Sequence, residues 1–600
     1  MFCLCSIYSC TTVDSQAGLC RATTVVQRKL ASQLERYLIP FQTRRKTMSQ
    51  SITPPTPDGS SIWLPGIVAC IAHHLPPNEV AGTLRLIDKT TSQQFAHHKT
   101  LRLSLSSPIH VFRERWGRPG AFRAMSRKQR LRLLCLTAAS GSFANLEVAL
   151  VSAGLDLRCK LLEAAAAAGQ LDMCKMLRAR GCLWGASLSA AKAGHRHVCE
   201  WLLASGCPFD WEVVCAAAMG GQEDLVQWLL TELQGRLRGG FFCGLGRLLG
   251  AAAGGLSLAA LQRLWQQLMA ERYGSDLQQK LKQLDEGDRG AILAAAAGST
   301  TPDWKAKVEW LEGLGYPRMA WACTSAAQAD DGDAVEARVQ WLHGRGYPLE
   351  AEVADTAVDF GNLAALRFLV EQAGVRPSGN LLPVMNAARR GHLAVLQYLH
   401  ASGLPVDTRS VAEEAARKGH LPLVAWAVEG LGVAPADGAD SLLDCAAESG
   451  NLELMVWLHA RGWALGPGPI PNGAIESGCE EALEWLVERG CPFPLDGGAY
   501  LKAARNDDLA MLRCLNRLGC PWGPPGKLLA DYISSEYSDM VSVAVLQCLL
   551  DLGCPEPDWD AAVKFVETEE HWDPREEHYV ALLAWLGEQR RRRSSGAQGA

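Results

Sequence analysis

Apolar residues recur along most of the chain at the spacing of a helix face. The stretch LELMVWLHARG sets Leu452, Met455, Val456 and Leu458 at i, i+3, i+4 and i+6, a helical stripe and not the alternation of a strand. Ahead of each stripe stands a compact segment with paired alanines, closed by a glycine. The full unit reads Ala-Ala-x-x-Gly-His/Asn-Leu, then an apolar run ending Trp-Leu, then Gly with Cys-Pro or a relative. It appears from Ala190 to Pro208, from Ala387 to Pro405 and from Ala446 to Trp463. In good copies the first Gly precedes the aromatic by seven residues and the second Gly by twelve. Gly194/Trp201/Gly206, Gly391/Tyr398/Gly403, Gly450/Trp457/Gly462 and Gly478/Trp485/Gly490 all obey this. The aromatic or its substitute recurs as Met176, Trp201, Trp228, Trp310, Trp341 and Phe368, then Tyr398, Trp426, Trp457, Trp485, Cys514 and Cys548. A gap of 82 residues between Trp228 and Trp310 holds a degenerate copy at Leu264–Trp265.

Each unit predicts two short helices joined by a glycine that turns the chain with φ > 0. One such pair cannot bury its apolar face alone, so stability must come from stacking. The fold class expected is therefore all-α: an α-solenoid of about thirteen helix-turn-helix repeats with a small helical N-terminal module. Five segments follow: 1–60, a disordered leader; 61–96, the module; 97–135, basic connecting helices; 136–587, the solenoid; 588–600, a basic disordered tail.

Composition supports this picture. Of 600 residues 48% are hydrophobic yet only 7% aromatic, so Ala and Leu, strong helix formers, carry the apolar content. The formal charge of −5 makes a global polyanion binder, and nucleic acid as a partner, unlikely. The 21 cysteines are spread singly with no CxxC pair, which suits a reducing compartment, cytoplasmic or nuclear. Those after the closing glycine (Cys182, Cys207, Cys491, Cys520, Cys554) recur once per repeat, about 10 Å apart, too far to share one zinc ion; no metal is expected. Turn residues His195, His392 and His420 read as turn caps, and the recurrent Trp as core. No run is long enough to span a bilayer.

At these residues the chain resembles the ankyrin repeat, a helix with paired Ala, a Gly-His turn and a second helix closed by Gly. It departs in lacking the Thr-Pro-Leu-His start and in being several residues short between the closing Gly and the next Ala-Ala. The resemblance implies protein recognition by an array with stubby fingers, the second-half surfaces forming the concave side. The short-repeat class is also similar to chains grouped with neutral sphingomyelinases. That enzyme needs a metal-bound carboxylate and a catalytic His, and it stands here as a remote alternative without a motif.

Residues 62–95 carry Leu64–Pro65, the stripe Ile67, Val68, Ile71, Ala72 and Leu75, then Pro76–Pro77 and a second helix with Leu84, Leu86 and Ile87. This resembles an F-box, though Gly66 stands where an acid is usual and the Trp near the motif's end is missing. The resemblance implies docking to the adaptor of a cullin–RING ubiquitin ligase through Leu64, Pro65, Ile67 and Leu75, the repeats holding a protein partner. The other reading is a plain ankyrin-type scaffold, in which the module caps the stack against residues 101–135.

Between module and repeats, Lys99, Arg102, Arg113, Arg115, Arg118, Arg123, Arg127, Lys128, Arg130 and Arg132 face only Glu114. Such a run is either a solvated helix face or a surface for an acidic partner. HExxH, GxSxG and Walker motifs are missing from the sequence, so neither enzyme activity nor a cofactor is expected.

Overall fold

The computed structural model describes residues 65–155, 160–182, 184–233, 244–269, 284–329, 332–435, 442–466, 468–534, 541–568 and 577–597. Among these residues every regular element is a helix, and the one β-type contact is an isolated bridge between Leu155 and Asp508. The N-terminal elements are α1 (Pro65–His74), α2 (Pro77–Gly82), a 3₁₀ turn at Leu84–Leu86, α3 (Lys89–Gln94) and α4 (Ile109–Trp116). Fifteen helix pairs then follow, from α5 (Arg127–Ala139) with α6 (Phe143–Ala153) to Trp559–Thr568 with Glu577–Ala597. That is two more than the count of about thirteen expected, whose first unit falls near Ala138–Gly154 and whose last two are decaying.

Two boundaries move. The solenoid begins at Arg127, inside the segment read as connecting helices, because α5 buries Leu133, Leu134, Thr137 and Ala138 against the next first helix, Lys160–Ala167. At the other end the chain is helical to Ala597, where a disordered tail was expected from 588. Gln589–Arg593 contains only good helix formers. Arg592 pairs with Glu588 one turn back, and Arg590 stands 3.7 Å from Asp560 of the last first helix.

The glycines and their neighbours explain the repeat. At the end of Arg196–Ala204, Gly206 adopts φ +85° and donates to the Leu203 carbonyl, while Cys207 N–H reaches back to Leu202 O at 3.0 Å. This paired closure puts the residue after the glycine onto the core. Cys207, Cys520 and Cys554 accordingly lie buried, and burial pushes the Cys520 and Cys554 thiols up to about 12. They are small apolar plugs.

The turn histidines cap the preceding repeat, not their own. Nε2 of His195 donates to Ala167 O at 3.1 Å and that of His420 to Arg389 O at 2.8 Å, each two residues before the turn glycine; Asn451 Nδ2 donates to the turn glycine itself, Gly419 O, at 3.1 Å. A Cβ on Gly169 would stand 2.7 Å from His195 Nδ1. Glycine of one repeat and polar side chain of the next thus form one interlock.

In two copies the closing glycine follows the aromatic by six residues instead of five (Phe368/Gly374 and Trp426/Gly432). Each extra residue is absorbed by a π turn, Phe368–Gln372 and Trp426–Gly430. The closing glycines keep their positive φ of 69° and 72°.

The recurrent aromatic is core in some copies and at its edge in others: Trp485 and Phe368 are buried, and the remaining Trp side chains pack half-buried against the core. Trp341 and Trp457 are half-buried at the seam between second helices, while the following Leu342 and Leu458 are fully buried. The arginine one turn on covers the ring, Arg345 over Trp341 at 4.8 Å and Arg461 over Trp457 at 3.7 Å. Each also pairs with an acid on the preceding second helix, Arg461 with Glu429 at 2.7 Å and Arg345 with Glu309 at 3.3 Å.

Successive first helices pack directly on one another along the array, whereas successive second helices touch sparsely. The Ala-Ala pairs permit that approach: Ala190, Ala191, Ala387, Ala388, Ala446 and Ala447 have no exposed surface. The array therefore bends with its first helices on the concave side, and the expectation that second-half surfaces line that side is corrected. The bend carries the chain through one superhelical turn. α5 comes to rest on Asn472–Ser477, the twelfth first helix counted from it, and on the turn beyond. There Arg130, 1% exposed, pairs with Asp508 at 2.5 Å and donates to Ala153 O and Gly478 O, each at 2.8 Å.

Candidate functional site

Two surfaces stand out, and the first is the N-terminal module. It has a small core of its own, Val68, Val80, Leu84 and Phe95, separate from that of the solenoid. In α1 only Val68 is buried, because the helix is covered on one side alone. Pro65 and Ile67 are exposed, the latter at 45%, as are Ile71, Leu86 and Ile87. Leu75 is half-buried on the module's own core, and Leu64 lies outside the described residues.

The opposite side of the module is fastened down. Buried Asn78 in α2 donates to Arg102 O at 2.8 Å and Ser107 Oγ at 3.1 Å, and accepts from Arg102 N at 2.9 Å. Ser107 O in turn accepts from Asn145 Nδ2 at 2.8 Å, in the first turn of α6. A Cβ on Gly82 would meet Val111 and Pro108 at 3.2 and 3.3 Å. The tethering role of Asn78 depends on a loop 24 residues away, which no local pattern reveals.

Three members of the basic run find partners in the far part of the chain. Arg123 pairs with Glu484 and lies 3.7 Å from Glu480, Arg127 Nε donates to Asn506 O at 2.6 Å, and Arg130 meets Asp508. Arg130 had a visible signal. It stands at i, i+3, i+4 and i+7 with Leu133, Leu134 and Thr137, on the buried stripe of its helix. Glu480, Glu484 and Cys514 are the one set of possible metal ligands that converge among the described residues. Arg517 lies 2.5 Å from Glu484 and 3.1 Å from Glu480, and burial pushes the Cys514 thiol up to about 12. Two guanidiniums thus occupy the carboxylates and the third donor is a protonated thiol, a poor cation site.

The second surface is the edge where first helices begin. Trp321 of Ala320–Ala327 is 50% exposed, Leu382 of Leu381–Arg390 is 56% exposed, and Glu352 of Ala351–Phe360 lies exposed between them. All three occupy the second position of consecutive first helices, so they form a row. A cavity of about 110 Å³ opens beside Leu382, lined by Val358, Pro383, Val384, Leu399, Leu404 and Pro405. On its lip, Ser378 N and Oγ donate to the Asp355 carboxylate at 3.0 and 2.5 Å.

These features define an all-α protein of stacked helix pairs, a repeat solenoid carrying a separate helical module. No family model matches the chain, and no curated protein matches it. Among solved structures it is similar to the pentatricopeptide repeat protein PPR10 from maize, at 13% identity over 87% of each chain and a TM-score of 0.20. The same protein in complex with an 18-nt psaJ RNA element gives 12% identity over 88% of each chain and a TM-score of 0.20. Among the described residues no helix is long and apolar enough to cross a membrane.

Proposed function

We propose that the chain is a protein-binding scaffold whose N-terminal module docks to the adaptor of a cullin–RING ubiquitin ligase while the solenoid holds the protein to be modified. The observation that carries this reading is the two-sidedness of the module. Asn78 and Gly82 fix α2 to the connecting segment 101–111, which Asn145 ties to the first repeat, and Pro65, Ile67, Ile71, Leu86 and Ile87 are left facing outward. A pure cap would turn its apolar residues toward the stack it covers; an adaptor-docking helix presents them to a partner helix. The second reading, a scaffold without a ligase link, is favoured by Leu75, which is half-buried within the module itself.

The test uses the full chain. The purified adaptor is titrated against the protein and against Ile67→Asp/Ile71→Asp, positions exposed enough to leave the module's core intact. Micromolar binding lost in the variant supports the ligase reading. Equal binding, or none, leaves the plain scaffold.

A further inference from the structure

We propose that the cavity between Ala351–Phe360 and Leu381–Arg390 is a peptide-binding pocket that takes one branched aliphatic side chain from a basic segment of a partner protein. This deepens the scaffold reading by naming a partner class for the solenoid, and it is independent of the ligase link. Three observations meet at one place.

The cavity has the size and lining for such a side chain. Engineered apolar cavities of about 150 Å³ admit benzene, and about 110 Å³ lined by Val358, Val384, Leu399 and Leu404, with Asp355, Ser378 and Asn380 also in the lining, suits an isobutyl or isopropyl group. Pro377 and Pro405 fix φ in the linking segments at the pocket, Pro383 lies in the first turn of Leu381–Arg390, and none of the three has a backbone N–H to satisfy.

Large apolar side chains stand unpartnered beside it. Leu381 and Leu382 are each more than half exposed, and Trp321 is 50% exposed two first helices away. With first helices spaced about 9 Å, Trp321 and Leu382 stand about 20 Å apart, a span of about six residues of extended chain.

The charge between these anchors is acidic. Glu350 and Glu352 stand at the start of the intervening helix, and Asp285, Glu286 and Asp288 at the start of Glu286–Ala297, next to Trp321. The bases nearby are Arg376 on the adjoining segment, Arg289 within Glu286–Ala297, Arg409 at the second position of the next first helix, 3.4 Å from Glu413, and Arg318, 3.2 Å from Glu312, so the acids are in excess between the anchors. An extended segment with an aliphatic residue in the cavity and Lys or Arg beside it would match this row. An RNA strand would meet the wrong sign of charge.

The probe is a fluorescein-labelled dodecapeptide of alternating Lys-Arg pairs with one central Leu, titrated by anisotropy against the full chain. Its counterparts replace Leu by Ser, or every base by Glu. The expected result is saturable binding of the Leu peptide, weakened at least tenfold in the Ser peptide and lost in the Glu peptide. Glu350→Lys/Glu352→Lys, two surface changes, should weaken it at least tenfold. Val384→Phe, which fills the cavity, should act on the Leu peptide alone. Equal affinity for Leu and Ser peptides, indifference to the charge reversals, or binding of a labelled oligoribonucleotide at the same residues would overturn the pocket. Complete failure of the peptide would overturn it while leaving adaptor binding, measured separately, untouched.

Discussion

Arg130 and Asp508, 378 residues apart, form a doubly bonded ion pair at 2.5 and 3.0 Å in which both side chains are almost fully buried. Asp508 also accepts from Met511 N at 3.0 Å, capping the helix Leu509–Arg517. The pair therefore joins the first repeat to the thirteenth and converts an open stack into a superhelical turn held at its ends. Removing one partner of such a pair leaves a buried charge and costs about 3–5 kcal/mol. Arg130→Ala is expected to lower the thermal midpoint and to raise the radius of gyration in solution scattering as the turn opens. An unchanged radius would show that closure does not depend on the pair.

Glycine is required at the closure for reasons it is not required elsewhere. Gly478 and Gly206 both hold positive φ, 72° and 85°, but a Cβ on Gly478 would lie 2.6 Å from both Arg130 Nη2 and Asp508 Oδ2, whereas one on Gly206 meets nothing within 4 Å. Gly206→Ala should cost only the left-handed backbone, about 1–2 kcal/mol. Gly478→Ala should add about 1–3 kcal/mol of overpacking. Paired thermal melts of the two variants measure the difference.

The interlock of turn histidines implies a pH dependence. Burial lowers the pKa of His195 below its ordinary value, partly offset by its bond to Ala167 O. Between the folded and unfolded pKa values the unfolded chain binds more protons, so this contribution is present above about pH 6.5 and is lost as pH falls through that value. His195→Asn, which copies the Asn451 solution, should flatten the loss of stability between pH 7 and pH 5. Melts across that range would show it, and an unchanged slope would remove His195 from the account.

Buried Lys307 donates to Ala253 O, Leu256 O and Ser299 Oγ at 2.8, 2.6 and 2.8 Å, and burial pulls its pKa down to about 8. Lys307→Met removes the ammonium donor from the Ala253 and Leu256 carbonyls, while Ser299 Oγ keeps its bonds to Gly254 O and Thr301, and should destabilise by about 2 kcal/mol or more. Because the folded pKa lies below the unfolded one, the wild-type chain should gain stability relative to the variant as pH rises from 8 to about 10.4. A chemical-denaturation series over that range checks the sign.

The π turns carry one residue more than the repeat needs. Deleting Glu371 from Phe368–Gln372 restores the five-residue step and should change stability by less than about 1 kcal/mol. Deleting His459 from Leu452–His459, which has no surplus, rotates Leu458 off the core and should cost about 2 kcal/mol or more. Equal losses in the two melts would mean that the π turn is needed in itself.

Much of the architecture was legible in the residues because it is local. The spacing of glycines and apolar positions specifies two helices and two left-handed turns within each repeat, and the Ala-Ala pairs specify which helix faces can meet. The six-residue step at Phe368 and Trp426 even marks where a helix must widen. Pro65 and Ile67 stand exposed on the module because an amphipathic helix of ten residues can cover only one side. What the sequence could not show is how small bends add up. The offset between neighbouring repeats is a property of packed pairs, and its sum over twelve repeats decides that Arg130 meets Asp508, that a basic run of ten side chains spends Arg123, Arg127 and Arg130 on the chain's own far end, and that the second helices face outward. The separation of Trp321, Glu352 and Leu382 along one row is decided in the same way, by stacking, since no periodicity within a single repeat relates residues 30 positions apart.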